Sequence, residues 1–450
     1  MVHNSKKTLM EKKQMKKMLS FIIIVLIISC SLGVQGEIFN QTFNETPETL
    51  TTDLGDFFFD KKMEFFTKIA HYPSLSACVI KDEEVIWSNS YGFYDLTNNT
   101  PTSTKTIYNI GSITKTITGT ALMQLWEQGL FNLDDDVNKY LPFSLRNPNF
   151  PEIPITFRML LSHTSSLNPD PYNYYWFNFS EDPPFDFYPY PWLAEQLIPT
   201  GKWYNSQRWN TISKPGEQFF YANANFDIVA YLVELISGKT FITYCNDHIF
   251  SPLKMDNTGF NLSQLNINEI AIPYYYHDDG QYYQLDQIPI EQLTLPYKYW
   301  RVLQYSVGGL YTTVLDLSHF LIAHMNDGVW NNVRILQKET VNLMHSCQFE
   351  SEVDYGLAWY SKQDDFFEIN YSGHNGGIFG VTADMFFIPS EDIGIIYLSN
   401  SNNADNYVEK MILYSLFMKG GLKIISNLSW NYIFNSIFSN MNQDKISKLE

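Results

Sequence analysis

Cysteine is scarce in this 450-residue chain, which holds only Cys30, Cys78, Cys245 and Cys347. Residues 1–36 read as a leader containing Cys30, so three thiols remain beyond it. An odd set of three permits at most one internal disulfide and excludes a disulfide-stapled scaffold. The expectation is three buried, small apolar side chains. Charge is also sparse at 17%, and positive charge is the rarer sign, with 30 Lys and Arg against 48 Asp and Glu for a formal net charge of −18. The leader carries six of those lysines and one glutamate, which leaves −23 on the rest. No basic patch survives there, so the clustered Lys and Arg that phosphate contacts need are missing and nucleic acid is excluded as a partner. There is no G-x-S-x-G elbow, no P-loop and no His-x-His cluster, and His319 and His324 are not at ligand spacing. No cofactor or metal is implied. The acidic run Asp134 to Asp136 reads as a solvated approach to a helix.

Long apolar runs are missing too, with one exception from about Met18 to Val34, behind lysines 6, 7, 12, 13, 16 and 17. A basic start, an apolar run and small residues near Gly36 describe a secretory signal cleaved near Gly36–Glu37. An uncleaved anchor is the alternative, because the run approaches spanning length. Ser29, Ser31 and Gly33 interrupt it and favour cleavage. The expected location is therefore secreted or endolysosomal, with a membrane attachment only if the signal is retained. Sequons at Asn40, Asn44, Asn98, Asn178, Asn261, Asn370 and Asn427 are candidate glycosylation sites in a eukaryotic source.

The 45% hydrophobic and 16% aromatic content is that of a globular protein, long enough for one large core or two. Residues 51–71 pattern as an amphipathic helix, and "SACVIKDEEVIWSNSYGFYD" as a hairpin around KDEE. From about 126 to 290 the chain reads as mixed and mostly helical, and it includes the proline-rich aromatic stretch Tyr172 to Trp192, expected as a loop beside the site. Strand patterns return in "DYGLAWYSK", "FFEINYSGH", "VTADMFFIP" and "IGIIYLSN", before a helix from about Ala404 to Met418. The fold class expected is α+β: an antiparallel sheet flanked by helices and built from both chain ends, with a mostly helical insert. The organisation is a signal at 1–36, a short leader at 37–54, a main domain at 55–418 with its insert at about 126–290, and a C-terminal extension at 419–450.

Three stretches carry chemistry. In "GSITKTITG" Ser112 stands three places before Lys115 at the start of a helix that stops at Gly129, so hydroxyl and amine share one face. A serine N-cap beside a solvated lysine has the same pattern. "YANANFDIVAYLVELISGK" puts Tyr221 and Asn223 at the approach to a strongly periodic helix. "YSGHNGGIFG" puts His374 at the end of a β run, followed by Asn375, Gly376 and Gly377, where glycines allow close backbone approach to a ligand.

In this order the three resemble the S-x-x-K, Y-x-N and H-x-G motifs of the penicillin-recognising serine hydrolases. The branch resembled is that of class C β-lactamases and D-alanyl-D-alanine carboxypeptidases, with their esterase relatives. The likeness spans roughly residues 55–418 and includes "FNLDDDVNKYLP", "ITFRMLLSHTSSL", "SPLKMDNTGF" and "VGGLYTTVLDLSHFL". It implies a β-lactamase/transpeptidase-like fold and an acyl-enzyme on Ser112, formed on an amide, ester or lactam. Lys115 and Tyr221 would move protons, Lys115 as a base only if its amine is neutral. Asn223 would hold the substrate amide and support Lys115. His374, Asn375 and Gly376 would take the place of the K-T-G strand, and the backbone N–H groups of Ser112 and Gly377 would form the oxyanion hole. Two departures stand out. His374 replaces a lysine, so a His374 facing the substrate would favour carboxylate-bearing substrates below about pH 6.5. Ser166 stands where relatives usually have glycine, so the turn there is expected to differ. The partner implied is a small-molecule or peptide substrate, and nothing in the sequence sets an oligomeric state. A catalytically idle relative that binds peptides or assembles with partners is the alternative, and three intact motifs argue against it.

Overall fold

The structure, a computed structural model, describes residues 47–169, 190–277, 279–284, 287, 299, 304–349, 354–364, 369–402 and 406–421. It divides after Phe66 into two compact units. The described part of the first is most of helix α1 (Pro47–Ile69). The signal, Asn40, Asn44, Asn178 and Asn427 lie outside the described residues. Among those that are described, no single helix is long and apolar enough to cross a membrane.

The second unit holds a seven-stranded antiparallel sheet of β1 (Ser74–Lys81), β2 (Glu84–Asp95), β3 (Thr100–Pro101), β4 (Tyr360–Asp364), β5 (Ile369–Ile378), β6 (Val381–Ile388) and β7 (Ile393–Ser399). Their order is β4–β5–β6–β7–β1–β2–β3, so early and late segments meet where Ala77 lies opposite Tyr397. Nearly every position in "SLSACVIK" and "IGIIYLS" is buried, Ser74 and Ser76 included. Such burial marks strands covered on both faces.

The helices after α1 are α2 (Thr114–Glu127), α3 (Tyr190–Leu197), α4 (Ala224–Ser237), α5 (Val314–Met325), α6 (Lys338–His345) and α7 (Asn406–Lys419), with shorter turns between them. Helix α5 covers one face of the sheet, where a Cβ on Gly394 would meet Met325 and Leu321. The C-terminal end of α7 covers the other, because a Cβ on Gly420 would meet Ile393, one residue along and so on the opposite face. Helix α2 is buried from Thr114 to Leu125 and is capped by Gln128, with Gly129 left-handed at φ 72° as the sequence implies. Among the described residues, the stretch between α2 and α5 is chiefly α3, α4 and short helical turns, with a small ribbon pairing Tyr274–Tyr276 and Tyr282–Gln284 and a short strand at Tyr311–Thr312 paired with Tyr108–Asn109.

The structure corrects five expectations. "DYGLAWYSK" is a strand only from Tyr360, because the Leu357 and Ala358 amides bond to Met344 and Leu161 carbonyls instead of a ladder, with Ala358 left-handed at φ 70°. Of the aromatic stretch, residues 172–189 lie outside the described region, while Tyr190 to Trp192 open α3 and Trp192 is buried, not displayed on a loop. Cys78 and Cys245 are buried as expected, but Cys347 is exposed, and all three thiols are free. Asn261 is buried at 2% exposure, so the folded chain withholds that sequon, whereas Asn98 and Asn370 are exposed. The acidic run is not merely solvated: Asp134 pairs with Arg158, Asp135 with Lys139 and Asp136 with Arg146, and Asp136 also caps the turn at Val137–Lys139.

Buried histidines set a pH dependence of stability. His324 contacts His345 at 3.3 Å and Thr120 at 3.1 Å, with the Trp359 ring against both imidazoles. Burial pushes His324 well below its ordinary range and His345 down to about 3. Desolvation, followed by Lys115 and His374, does the same to His163. Below about pH 6.5 an unfolded histidine binds a proton that these refuse, so their stabilisation is complete above that pH and is lost as pH falls. Glu234, raised to about 7 by burial, acts in the opposite sense. The melting temperature is therefore expected to drop between pH 7.5 and 5.0. Equal values at the two pH values in calorimetry would contradict this.

Candidate active site

Two glycines bring the sheet against the start of α2. Gly111 is left-handed at φ 51°, and its amide donates to Asn109 Oδ1 at 2.9 Å. The following turn, Gly111–Ile113, leads directly into α2, so Ser112 sits just before the α-helix and not within its first turn. A Cβ on Gly111 would come 2.9 Å from the Gly377 nitrogen. One on Gly376 would come 2.0 Å from the Ile110 carbonyl oxygen and 3.2 Å from the Ser112 nitrogen. Only glycine permits that approach, and it gathers the Ser112 and Gly377 amides at one crossing. The position a Cβ would take on Gly377 is open to 4 Å. Strand β4 pairs with β5 only as far as Gly373, so its ladder does not reach Gly376 and Gly377.

Ser112 is half-buried, and the helix behind it is closed. Lys115 is fully buried, and its Nζ donates to Ser112 Oγ at 3.0 Å and to the Val307 carbonyl at 2.8 Å. Thr118, one turn on, donates to the Ser306 carbonyl at 2.7 Å, so the short helix Tyr305–Gly308 is strapped to α2 twice. The lysine is thus held as a neighbour of the serine and not released to solvent. The Tyr221 ring centre lies 5.0 Å from Lys115 Nζ, which closes a serine–lysine–tyrosine group. Asn223 is half-buried at the N-cap of α4, where its side chain makes no capping bond.

His374 departs from the expected substrate-facing role. It is 1% exposed, with its Nδ1–H donating to the Asn375 carbonyl at 2.6 Å and its Nε2 accepting from the Tyr355 hydroxyl at 3.3 Å. The rings of Tyr360, Tyr221 and Tyr355 pack around it at 4.8, 6.1 and 6.2 Å. Asn375 is exposed and stands opposite Asp384 in the β5–β6 ladder, on the other face of the strand from His374 and Gly376. A carboxylate would have to displace Tyr355 to reach the imidazole. The KM ratio between a carboxylate substrate and its methyl ester is therefore expected to stay flat from pH 5 to 8. A ratio that falls in acid, and ceases to fall in His374→Gln, would restore the anion-reading role.

Ser166 also behaves otherwise than expected. It is left-handed at φ 65°, a conformation suited to glycine, so the turn is kept, and its Oγ accepts from Asn147 Nδ2 at 2.9 Å. Sequence reasoning missed Val307, Tyr355 and His163. The segments holding Val307 and His163 carried the resemblance, but no chemistry was legible in either.

Solved structures share this architecture. A superposition with the octameric penicillin-binding protein homologue from Pyrococcus abyssi gives a TM-score of 0.63 at 24% identity, covering 83% of this chain and 79% of that one. The D-amino acid amidase of Ochrobactrum anthropi SV3 gives 0.61 at 18% identity, covering 80% and 99%. Among curated proteins, protein flp of Staphylococcus aureus strain MW2 is 23% identical over 363 residues, or 78% of this chain, which spans only 64% of that relative's length. The Beta-lactamase family model matches residues 59–415, and the chain belongs to that family.

Proposed function

We propose that the protein is a serine hydrolase that works through an acyl-enzyme on Ser112, with neutral esters or amides as its preferred substrates. The hydrogen bond from Lys115 Nζ to Ser112 Oγ at 3.0 Å carries this reading. With the amine neutral, the Ser112 hydroxyl proton passes to Nζ as Oγ attacks the carbonyl carbon. The oxyanion that forms lies toward the Ser112 and Gly377 amides. Collapse expels the alcohol or amine, which takes up a proton delivered through Lys115 and Tyr221. Water then attacks the acyl-enzyme ester and gives a proton to the same pair, which passes it to Ser112 Oγ as that oxygen leaves the carbonyl carbon.

The preference for neutral substrates rests on His374, whose two ring nitrogens are both engaged within the protein. The amidase likeness extends the same reading to amides. Secretion through residues 1–36 is part of the proposal, since a cleaved signal would place the enzyme outside the cytosol. The test is a substrate panel of short-chain p-nitrophenyl esters, D-amino-acid anilides and a chromogenic cephalosporin. Ester or anilide turnover that exceeds cephalosporin turnover supports the reading. Turnover of the cephalosporin alone would overturn the substrate preference.

A further inference from the structure

We propose that His163 is a positioning residue for Tyr221, holding it over the Ser112–Lys115 pair by bonding the backbone on both of its flanks. The proposal rests on the serine-hydrolase reading of that pair. His163 is fully buried at the end of the short helix Phe157–Leu161, in a left-handed conformation with φ 58°. Its carbonyl accepts from the Phe220 amide at 2.8 Å, immediately before Tyr221. Its Nδ1 accepts from the Ala222 amide at 3.2 Å, immediately after Tyr221. One residue thus grips both neighbours of the tyrosine. The imidazole also packs on the tyrosine ring, with centroids 4.3 Å apart.

The grip is itself fixed. Asn225 Nδ2 lies 3.1 Å from the same Nδ1, and Asn225 Oδ1 accepts from Ser165 Oγ at 2.6 Å, which sets the amide so that nitrogen faces the imidazole. Two donors on Nδ1 require a lone pair there, so the ring is neutral with its proton on Nε2. Nε2 is buried and has no hydrogen-bond partner among the described residues. A second proton on Nδ1 would sever both bonds. Burial opposes that proton first, any positive charge on Lys115 or His374 would oppose it further, and Tyr221 and Tyr355 pack against the imidazole as neutral rings. The backbone bonds continue from here, with the Gly216 amide on the Thr164 carbonyl and the Asn210 amide on the Ser166 carbonyl. The "HTSS" stretch is therefore a template onto which residues 210–222 are laid.

Three variants and a cycle test this with a p-nitrophenyl ester. His163→Phe keeps a ring and loses the Nδ1 acceptor, and kcat is expected to fall about 10²-fold, the scale of an ångström-level misplacement. KM should change little. His163→Asn puts Oδ1 where Nδ1 was and should recover most of the loss. Should His163→Phe not fold, His163→Gln, whose amide reaches the Nε2 position instead, takes its place. In a Tyr221→Phe background the His163 change should cost almost nothing more, because both act through one hydroxyl. Effects that multiply, or an Asn variant no better than Phe, would overturn the positioning role. Ser112→Ala keeps the two claims apart: activity surviving in it sinks the serine-hydrolase reading, whatever the cycle shows. If no ester is turned over, the rate at which a fluorophosphonate labels Ser112 replaces kcat in the same cycle.

Discussion

Ser112→Ala is expected to lower kcat for every substrate by at least ~10⁴-fold, the scale seen when an acyl-enzyme nucleophile is removed. On the proposed reading the substitution takes away the atom that holds the acyl group, and Lys115 has nothing left to activate. The fold should not notice. Ser112 is half-buried, its hydroxyl caps no helix, and its loss removes one hydrogen bond worth about 1 kcal/mol. Lys115 keeps its bond to the Val307 carbonyl, so the buried amine is not orphaned. Steady-state kinetics beside circular dichroism melts check both halves. Activity within tenfold of wild type, in a protein with an unchanged melt, would contradict the assignment of the nucleophile.

Tyr221→Phe should be the second largest effect. The ring would remain packed on His163 and beside Lys115, because those contacts are made by its face. Only the oxygen goes, and with it proton transfer, typically worth ~10²–10⁴-fold in rate. Binding is expected to survive, so kcat falls while KM stays close to its original value. The loss should be greater for an anilide than for a nitrophenyl ester, because an amine leaving group needs a proton and nitrophenolate does not. Equal losses on the two, or an unchanged kcat on the anilide, would make Tyr221 a packing residue.

Features that depend on neighbours in sequence were legible in advance. Ser112 and Lys115 share a face because three residues separate them in a helical stretch, and periodicity fixed α2 and α4 within a few residues of their observed ends. The Gly376–Gly377 pair signalled close backbone approach to a ligand, whereas the close neighbour of Gly376 is the turn that holds Ser112. What escaped depends on contacts between distant segments. The acceptor on Lys115 is a carbonyl 192 residues away, and a backbone oxygen has no residue-type signature. His163 looked like part of a structural segment because its role is to bond amides in another loop. For His374 the sequence showed that it belongs to a strand but put it at the end, whereas β5 runs on to Ile378, and it did not show that Tyr355 and Tyr360 cover it. The exposure of Cys347 and the burial of Asn261 were hidden for the same reason.

The central claim is a covalent bond at Ser112. It is tested most directly by mixing the protein with a slowly deacylating ester, quenching within the first turnovers and reading intact and peptide masses. The expected result is a single acyl group on the peptide that contains Ser112, absent from Ser112→Ala and longer-lived in Tyr221→Phe. Hydrolysis that proceeds with no adduct on that peptide, or with the acyl group on another residue, would contradict the account.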